Sequence, residues 1–134
     1  MSLLHIKINS ARKSSELTEV KSLFLPTVNG TVEVLPEHMA LITELDQGEI
    51  RIQTQDGKDI SFLASRGYAR IKDNEVVLLL DEVDQADELV KEEIEKAIES
   101  AQTMMSKTEL NPTELIQLEK RLRYERFKLE SING

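Results

Sequence analysis

The spacing of apolar residues changes near residue 80, and this change limits the possible folds more than any other feature of the chain. Before it, apolar residues alternate in short runs. Leu4, Ile6 and Ile8 fall on one side of an extended segment at period two. Further runs are Val20–Leu25, Thr31–Leu35, Met39–Leu45, Glu49–Thr54, Ile60–Ala64, Tyr68–Ile71 and Val76–Leu80. They are punctuated by Pro26, Asn29-Gly30, Pro36, Asp46-Gln47-Gly48, Asp56-Gly57, Arg66-Gly67 and Asp73-Asn74. Asn-Gly favours the positive φ of a tight reversal, and proline lacks the N–H that a central strand needs. Short strands with turn signals at such intervals predict a β-sandwich or barrel.

After residue 80 the period becomes helical. Val90, Ile94, Ala97, Ile98, Ala101, Met104 and Met105 fall on one stripe of a helix. Asn111-Pro112-Thr113-Glu114 then reads as a second helix start, with Asn111 the cap and Pro112 at the first helical position. Leu115, Leu118, Leu122, Leu129 and Ile132 continue the stripe, interrupted where Glu125 and Arg126 fall on the seam. A linker of about five residues suits antiparallel neighbours. The expected fold is α+β in two parts: a flattened antiparallel β-sandwich over residues 1–84, then an antiparallel two-helix hairpin over 85–134. A hairpin of roughly 45 residues is too small to hold a core alone. It therefore needs a third surface, the β domain or another protein, and two such options would make it a switch.

Composition removes whole classes of function. Cysteine is absent, which excludes disulfides, thiolate metal sites and cysteine nucleophiles. Lys and Arg number 17 against 25 Asp and Glu, a net charge of −8, and aromatic residues make up only 4%. That balance speaks against nucleic acid as a partner. Residues 81–111 carry 3 basic against 10 acidic residues and so concentrate the charge. No run reaches the ~18 apolar residues of a membrane-spanning helix. With no signal-like start, the expectation is a soluble intracellular chain without direct membrane insertion. Two histidines and no glycine-rich strand-to-helix loop leave nucleophilic, metal and phosphate-loop catalysis without parts.

A family resemblance emerges along Val20…Leu25-Pro26…Gly30…Val34-Leu35-Pro36-Glu37-His38…Leu41…Leu45…Gly48…Arg51-Ile52. It continues through Arg66-Gly67-Tyr68, Asn74–Leu79 and the acidic Asp81–Asp84 segment before two helices. In order and spacing the chain resembles the ε subunit of the F-type ATP synthase over nearly its whole length. The resemblance implies a non-catalytic rotor subunit of the central stalk, coupling proton translocation to ATP synthesis. It implies the γ subunit, the membrane c-ring and the catalytic α/β subunits as partners, and no cofactor. It also implies a peripheral location, on the cytoplasmic face of a bacterial inner membrane or the stromal face of a thylakoid.

Site residues follow from the same resemblance. Ser10 and His38 would contact γ, and Asn29, Gly30 and Thr31 would touch the rotor ring. Arg121, Arg123 and Arg126, within a basic stretch that also holds Lys120 and Lys128, would meet the catalytic β subunit and inhibit ATP hydrolysis. The chain departs from the family pattern at Glu33 and at Met39-Ala40, where glycine and alanine-proline are common, and at Thr31, where an acid is common. Some relatives bind ATP through an I/L-D-x-x-R-A motif. Here that register reads Leu89–Ile94, with Val90 and Glu93 replacing its Asp and Arg, so weak or absent nucleotide binding is expected. The other reading of the same elements is a free-standing sandwich-and-hairpin adaptor with no catalytic role.

Overall fold

Among the described residues nine strands and two α-helices form, all but the last strand overlapping the segments that the two periods predict. The computed structural model describes residues 2–107 and 109–133. The strands are β1 (Leu4–Asn9), β2 (Ser14–Thr27), β3 (Gly30–Val34), β4 (Leu41–Leu45), β5 (Gly48–Thr54), β6 (Asp59–Ala64), β7 (Gly67–Lys72), β8 (Glu75–Leu80) and β9 (Val83–Gln85). A 3₁₀ turn, Ala86–Glu88, precedes α1 (Lys91–Lys107) and α2 (Pro112–Asn133). The chain divides into two compact units, Met1–Asp87 and Glu88–Gly134.

In the first unit the hydrogen-bonded order is β1-β8-β7-β4-β2-β5-β6-β9, with β3 also on β2 and β1 returning to β2. The long β2 serves both layers of the sandwich, meeting β1, β5, β3 and β4 in turn along its length. It bends to do so. Leu4 pairs with Val20 and Ile6 with Leu17, so three residues of β2 oppose two of β1. Glu19, at φ 55°, absorbs the extra residue, as a bulge requires. All these pairings are antiparallel except β1 with β8, which run parallel. Inside sit Leu4, Ile6, Ile8, Val20, Leu23, Leu25, Val34, Leu45, Ile50, Ile52, Ala69, Ile71, Val76 and Leu78, each at most 1% exposed. Burying an aliphatic side chain of this kind contributes about 1.5–3 kcal/mol.

Several boundaries differ from the sequence expectation. Strand β2 begins at Ser14, not Val20, because main-chain pairing with β1 orders the polar Ser14–Glu19 segment that shows no apolar period. Pro26 does not end the strand. Its carbonyl accepts the Asp46 N–H at 2.8 Å, and a residue's N–H and C=O share one side of a strand. The missing donor thus faces the β4–β5 connection, where no ladder bond is due. Met39 and Ala40 precede β4 and are not part of it. Strand β9 is too short to leave a periodic signal; it forms by pairing with Phe62–Ala64 of β6.

Two glycines have steric reasons. Gly30 takes φ 115° after the two-residue Val28-Asn29 turn between β2 and β3. A Cβ on Gly67 would lie 2.1 Å from the Leu79 carbonyl oxygen, so β7 and β8 can meet only with glycine there. The Asp73-Asn74 turn closes β7–β8 with φ 52° and 65°, the paired positive values of a tight hairpin.

In the second unit α1 and α2 pack along each other. The predicted cap is in place: the Glu114 N–H donates to Asn111 Oδ1 at 2.8 Å. The stripe on α1 narrows to Ile94, Ala97, Ile98, Ala101 and Met105, since Met104 is exposed and Val90 precedes the helix. On α2 the predicted stripe is corrected more strongly. Leu115 and Ile132 are exposed, Leu122 is buried and Leu118 and Leu129 half-buried as the stripe requires, and Tyr124, Glu125 and Lys128 are buried beside them. A carboxylate and an ammonium can share that face because they neutralise each other, Lys128 Nζ lying 3.0 Å from Glu125 Oε2.

Candidate interaction surface

The outer face of β4, β7 and β8 is unusual for a two-layer sheet. Alternation turns Leu45, Ala69, Ile71, Val76, Leu78 and Leu80 inward, and the intervening positions should then be polar. Instead Ile42 is 74% exposed and Tyr68 and Leu79 are each 57% exposed. Register aligns Glu44 with Tyr68 and Tyr68 with Leu79, and one step along, Ile42 with Arg70 and Arg70 with Val77. Met39, 82% exposed, stands just before β4. Ile42, Tyr68 and Leu79 thus put exposed apolar side chains on one face of three strands, with Arg70 between Ile42 and Val77, Lys7 opposite Val77, Lys72 opposite Glu75, and a Glu44–Arg66 ion pair at 3.4 Å. Exposed apolar side chains set among charged ones give a face the composition a protein partner can bury.

The two residues assigned to a γ contact flank this stripe. His38 lies in the β3–β4 loop, where its N–H closes a turn onto the Leu35 carbonyl at 3.1 Å. Its Nδ1 is 2.8 Å from the Met39 carbonyl oxygen. Ser10 follows β1, and its Oγ accepts the Lys13 N–H at 3.1 Å. Strand β1 pairs with β8 from His5–Glu75 to Asn9–Leu79, so Ser10 lies at the opposite end of β8 from the His38 loop. At ~3.3 Å per residue the two ends are about 16 Å apart. The structure does not bring Ser10 and His38 into contact; Glu44, Arg70 and Val77 share the face between them with Ile42, Tyr68 and Leu79. These three escaped the sequence reading, although the unbroken Val76–Leu80 run carried the signal of a strand covered on both faces.

Asn29, Gly30 and Thr31 form the tip and return of the β2–β3 hairpin. Thr27 steadies it: its hydroxyl donates to the Gly30 carbonyl at 2.5 Å and accepts the Asn29 N–H at 3.2 Å. Val28, beside them, is exposed. The tip is thus a turn closed by hydrogen bonds, with an exposed apolar residue in it.

On α2 the three arginines do not form one patch. At ~100° per residue, Arg123 and Arg126 are about 60° apart, and Arg121 is about 140–160° from both. All three are exposed. Within that basic stretch Lys128 leaves the solvated side, buried at 7% exposure beside Glu125 at 4%. Lys128 Nζ also lies 5.0 Å from the centre of the Tyr124 ring, a cation–π contact. In the degenerate nucleotide motif, Val90 is exposed and Glu92 and Glu93 occupy the first turn of α1. Acidic residues there suit the helix dipole and would repel phosphate.

Comparison with known proteins bears on this geometry. Residues 3–86 match the family model described as ATP synthase, Delta/Epsilon chain, beta-sandwich domain. The chain is 32% identical over 115 residues to the chloroplastic ATP synthase epsilon chains of Triticum aestivum and Zea mays, covering 86% of itself and 83% of each relative. Its fold is similar to a chain in the mitochondrial ATP synthase of Euglena gracilis, with TM-score 0.71, 20% identity, and coverage of 100% of this chain and 83% of that one. A chain in the central stalk and c-ring structure of Tetrahymena thermophila mitochondrial ATP synthase gives TM-score 0.58 at 12% identity, covering 96% and 97%.

Proposed function

The chain belongs to the delta/epsilon family of the F-type ATP synthase, as an epsilon subunit, and on that premise we propose that its exposed stripe docks on the γ subunit. It is a non-catalytic subunit of the rotor stalk, working within a membrane-associated complex. Family membership favours this role over the free-standing adaptor. The observation that carries the γ assignment is the stripe of Met39, Ile42, Tyr68 and Leu79 between His38 and Ser10. Such a stripe is costly to leave in water and complements an apolar partner face. Titrating the full chain into purified γ subunit tests it. Ile42→Asp should weaken binding at least roughly tenfold, since a carboxylate would be buried unpaired. Binding equal to the wild type would remove the stripe from the interface.

The hairpin tip at Asn29, Gly30 and Thr31 then faces the c-ring, with Val28 as its apolar end. The chain would sit peripherally, on the side of the membrane that carries the catalytic head. Among the described residues no helix is long and apolar enough to cross a membrane.

Regulation of ATP hydrolysis would reside in the second unit. Arg123 and Arg126 share one side of α2, so an acidic surface of the catalytic β subunit could engage both together. Arg121 would contribute separately. Single exposed pairs are worth ~1 kcal/mol or less, so inhibition needs several contacts. Adding the chain back to the catalytic head depleted of it should inhibit hydrolysis, and changing Arg121, Arg123 and Arg126 to Ala should relieve that inhibition while γ binding persists. Unchanged inhibition would remove the arginines from this role. Because Glu93 stands where a phosphate-binding arginine would be needed, calorimetry should find no micromolar ATP site; finding one would overturn that expectation.

A further inference from the structure

We propose that Asn74 and Glu37 form a clamp that presets the His38–Met39 loop for binding, a proposal that rests on the stripe being the γ-binding face. Glu37 adopts φ 70°, a left-handed conformation that glutamate has no intrinsic reason to take. Something must hold it there. Its N–H donates to Asn74 Oδ1 at 2.7 Å, and Asn74 Nδ2 donates back to Glu37 Oε1 at 3.0 Å. The two bonds use opposite ends of one amide, which fixes the orientation of Asn74. Asn74 is itself anchored in the Asp73-Asn74 turn, and its carbonyl accepts the His5 N–H of β1 at 2.9 Å. The loop between β3 and β4 is thus tied to the rigid end of the β1–β8–β7 sheet. Glu37 also accepts a hydrogen bond from Ser2, and this with the Asn74 bond holds its carboxyl below the ordinary glutamate range. The carboxylate form that completes the clamp is therefore favoured.

Strained backbone persists where surrounding contacts over-determine it, and it is often used to hold a binding geometry. Here the left-handed residue lies one position before His38 and two before Met39. Released from Asn74, Glu37 would relax to negative φ and swing both residues away from the end of the stripe. Asn74 is then a positioning residue: it acts on partner binding through the loop and need not touch the partner.

The test uses the full chain and purified γ subunit. Asn74→Gly deletes the amide yet keeps the positive φ of its turn, so the β7–β8 hairpin survives. Glu37→Gly removes the need for a clamp, because glycine enters the left-handed region freely. We expect Asn74→Gly to weaken binding about tenfold, as a loop losing its preset conformation should. Glu37→Gly should bind nearly as the wild type, and the double variant should recover most of the loss. An Asn74→Gly variant that binds like the wild type would overturn the clamp. So would a double variant as weak as Asn74→Gly, since Asn74 would then act by direct contact. A wild-type chain that does not bind γ would overturn the γ assignment itself, and the proposal with it.

Discussion

The two units bury different things. In the sheet unit the interior is almost wholly aliphatic, and each strand is fixed by ladders on its neighbours. In the helical unit the buried set is small, and two of its members, Glu125 and Lys128, carry charge. An aliphatic core gains free energy with each side chain and loses little when partners shift slightly. A buried ion pair contributes little net stability but becomes costly when one partner is removed. The sheet unit is therefore specified redundantly, and α2 is specified at a few positions.

Substitutions can break that comparison, beginning with the largest effect. Gly67→Ala should destabilise the sheet unit by about 3 kcal/mol or more, since the new methyl meets backbone rather than a movable side chain. Urea denaturation followed by the strand signal in circular dichroism would measure it. Lys128→Met should cost the helical unit about 3 kcal/mol by stranding the Glu125 carboxylate, and adding Glu125→Leu should restore most of it. The helical signal in the same titration reads this. If the double variant stays as weak as the single, the pair contributes packing and not charge balance.

Smaller effects sharpen the contrast. Asn111→Ala removes the cap of α2 and should cost about 1 kcal/mol, visible as faster amide exchange in its first turn. The smallest concerns acid, and only the sheet unit. The Thr54 hydroxyl holds the Asp56 carboxyl below its usual range, as Ser2 and Asn74 do for Glu37. For each, the unfolded chain binds a proton at higher pH than the folded one. Their stabilisation is complete above the ordinary carboxylate range and fades as pH falls through the lowered folded values. Asp56→Asn and Glu37→Gln should flatten that acid limb slightly. An unchanged limb would mean that other carboxylates set it.

Much of this architecture was legible because the pattern and the final burial have one cause. Period two placed β1 and β5–β8 within a residue or two, since one face of each is buried. The cap at Asn111 was legible because it is a local interaction between neighbouring residues. What escaped was non-local. The Ser14–Glu19 half of β2 and all of β9 exist because distant strands pair with them, and polar residues do not announce that. Likewise α2 hid a charged pair, because an apolar stripe assumes that Glu125 and Lys128 seek water. At the candidate surface the resemblance named its two ends, Ser10 and His38. The apolar residues between them needed register to be seen as one face.

The parallel pairing of β1 with β8 has a consequence for synthesis. His5 finds its partner in Glu75, seventy positions later in the chain. At translation rates of about 5–20 residues per second, β1 waits roughly 4–14 s for that partner to be made. During this interval an amphipathic strand has an unfilled edge, the kind of surface that invites pairing with a neighbouring chain. Nascent chains arrested between β7 and β8 should therefore associate more readily than chains arrested past Leu80, in which β1 is enclosed and only β9 and the helices remain to be made.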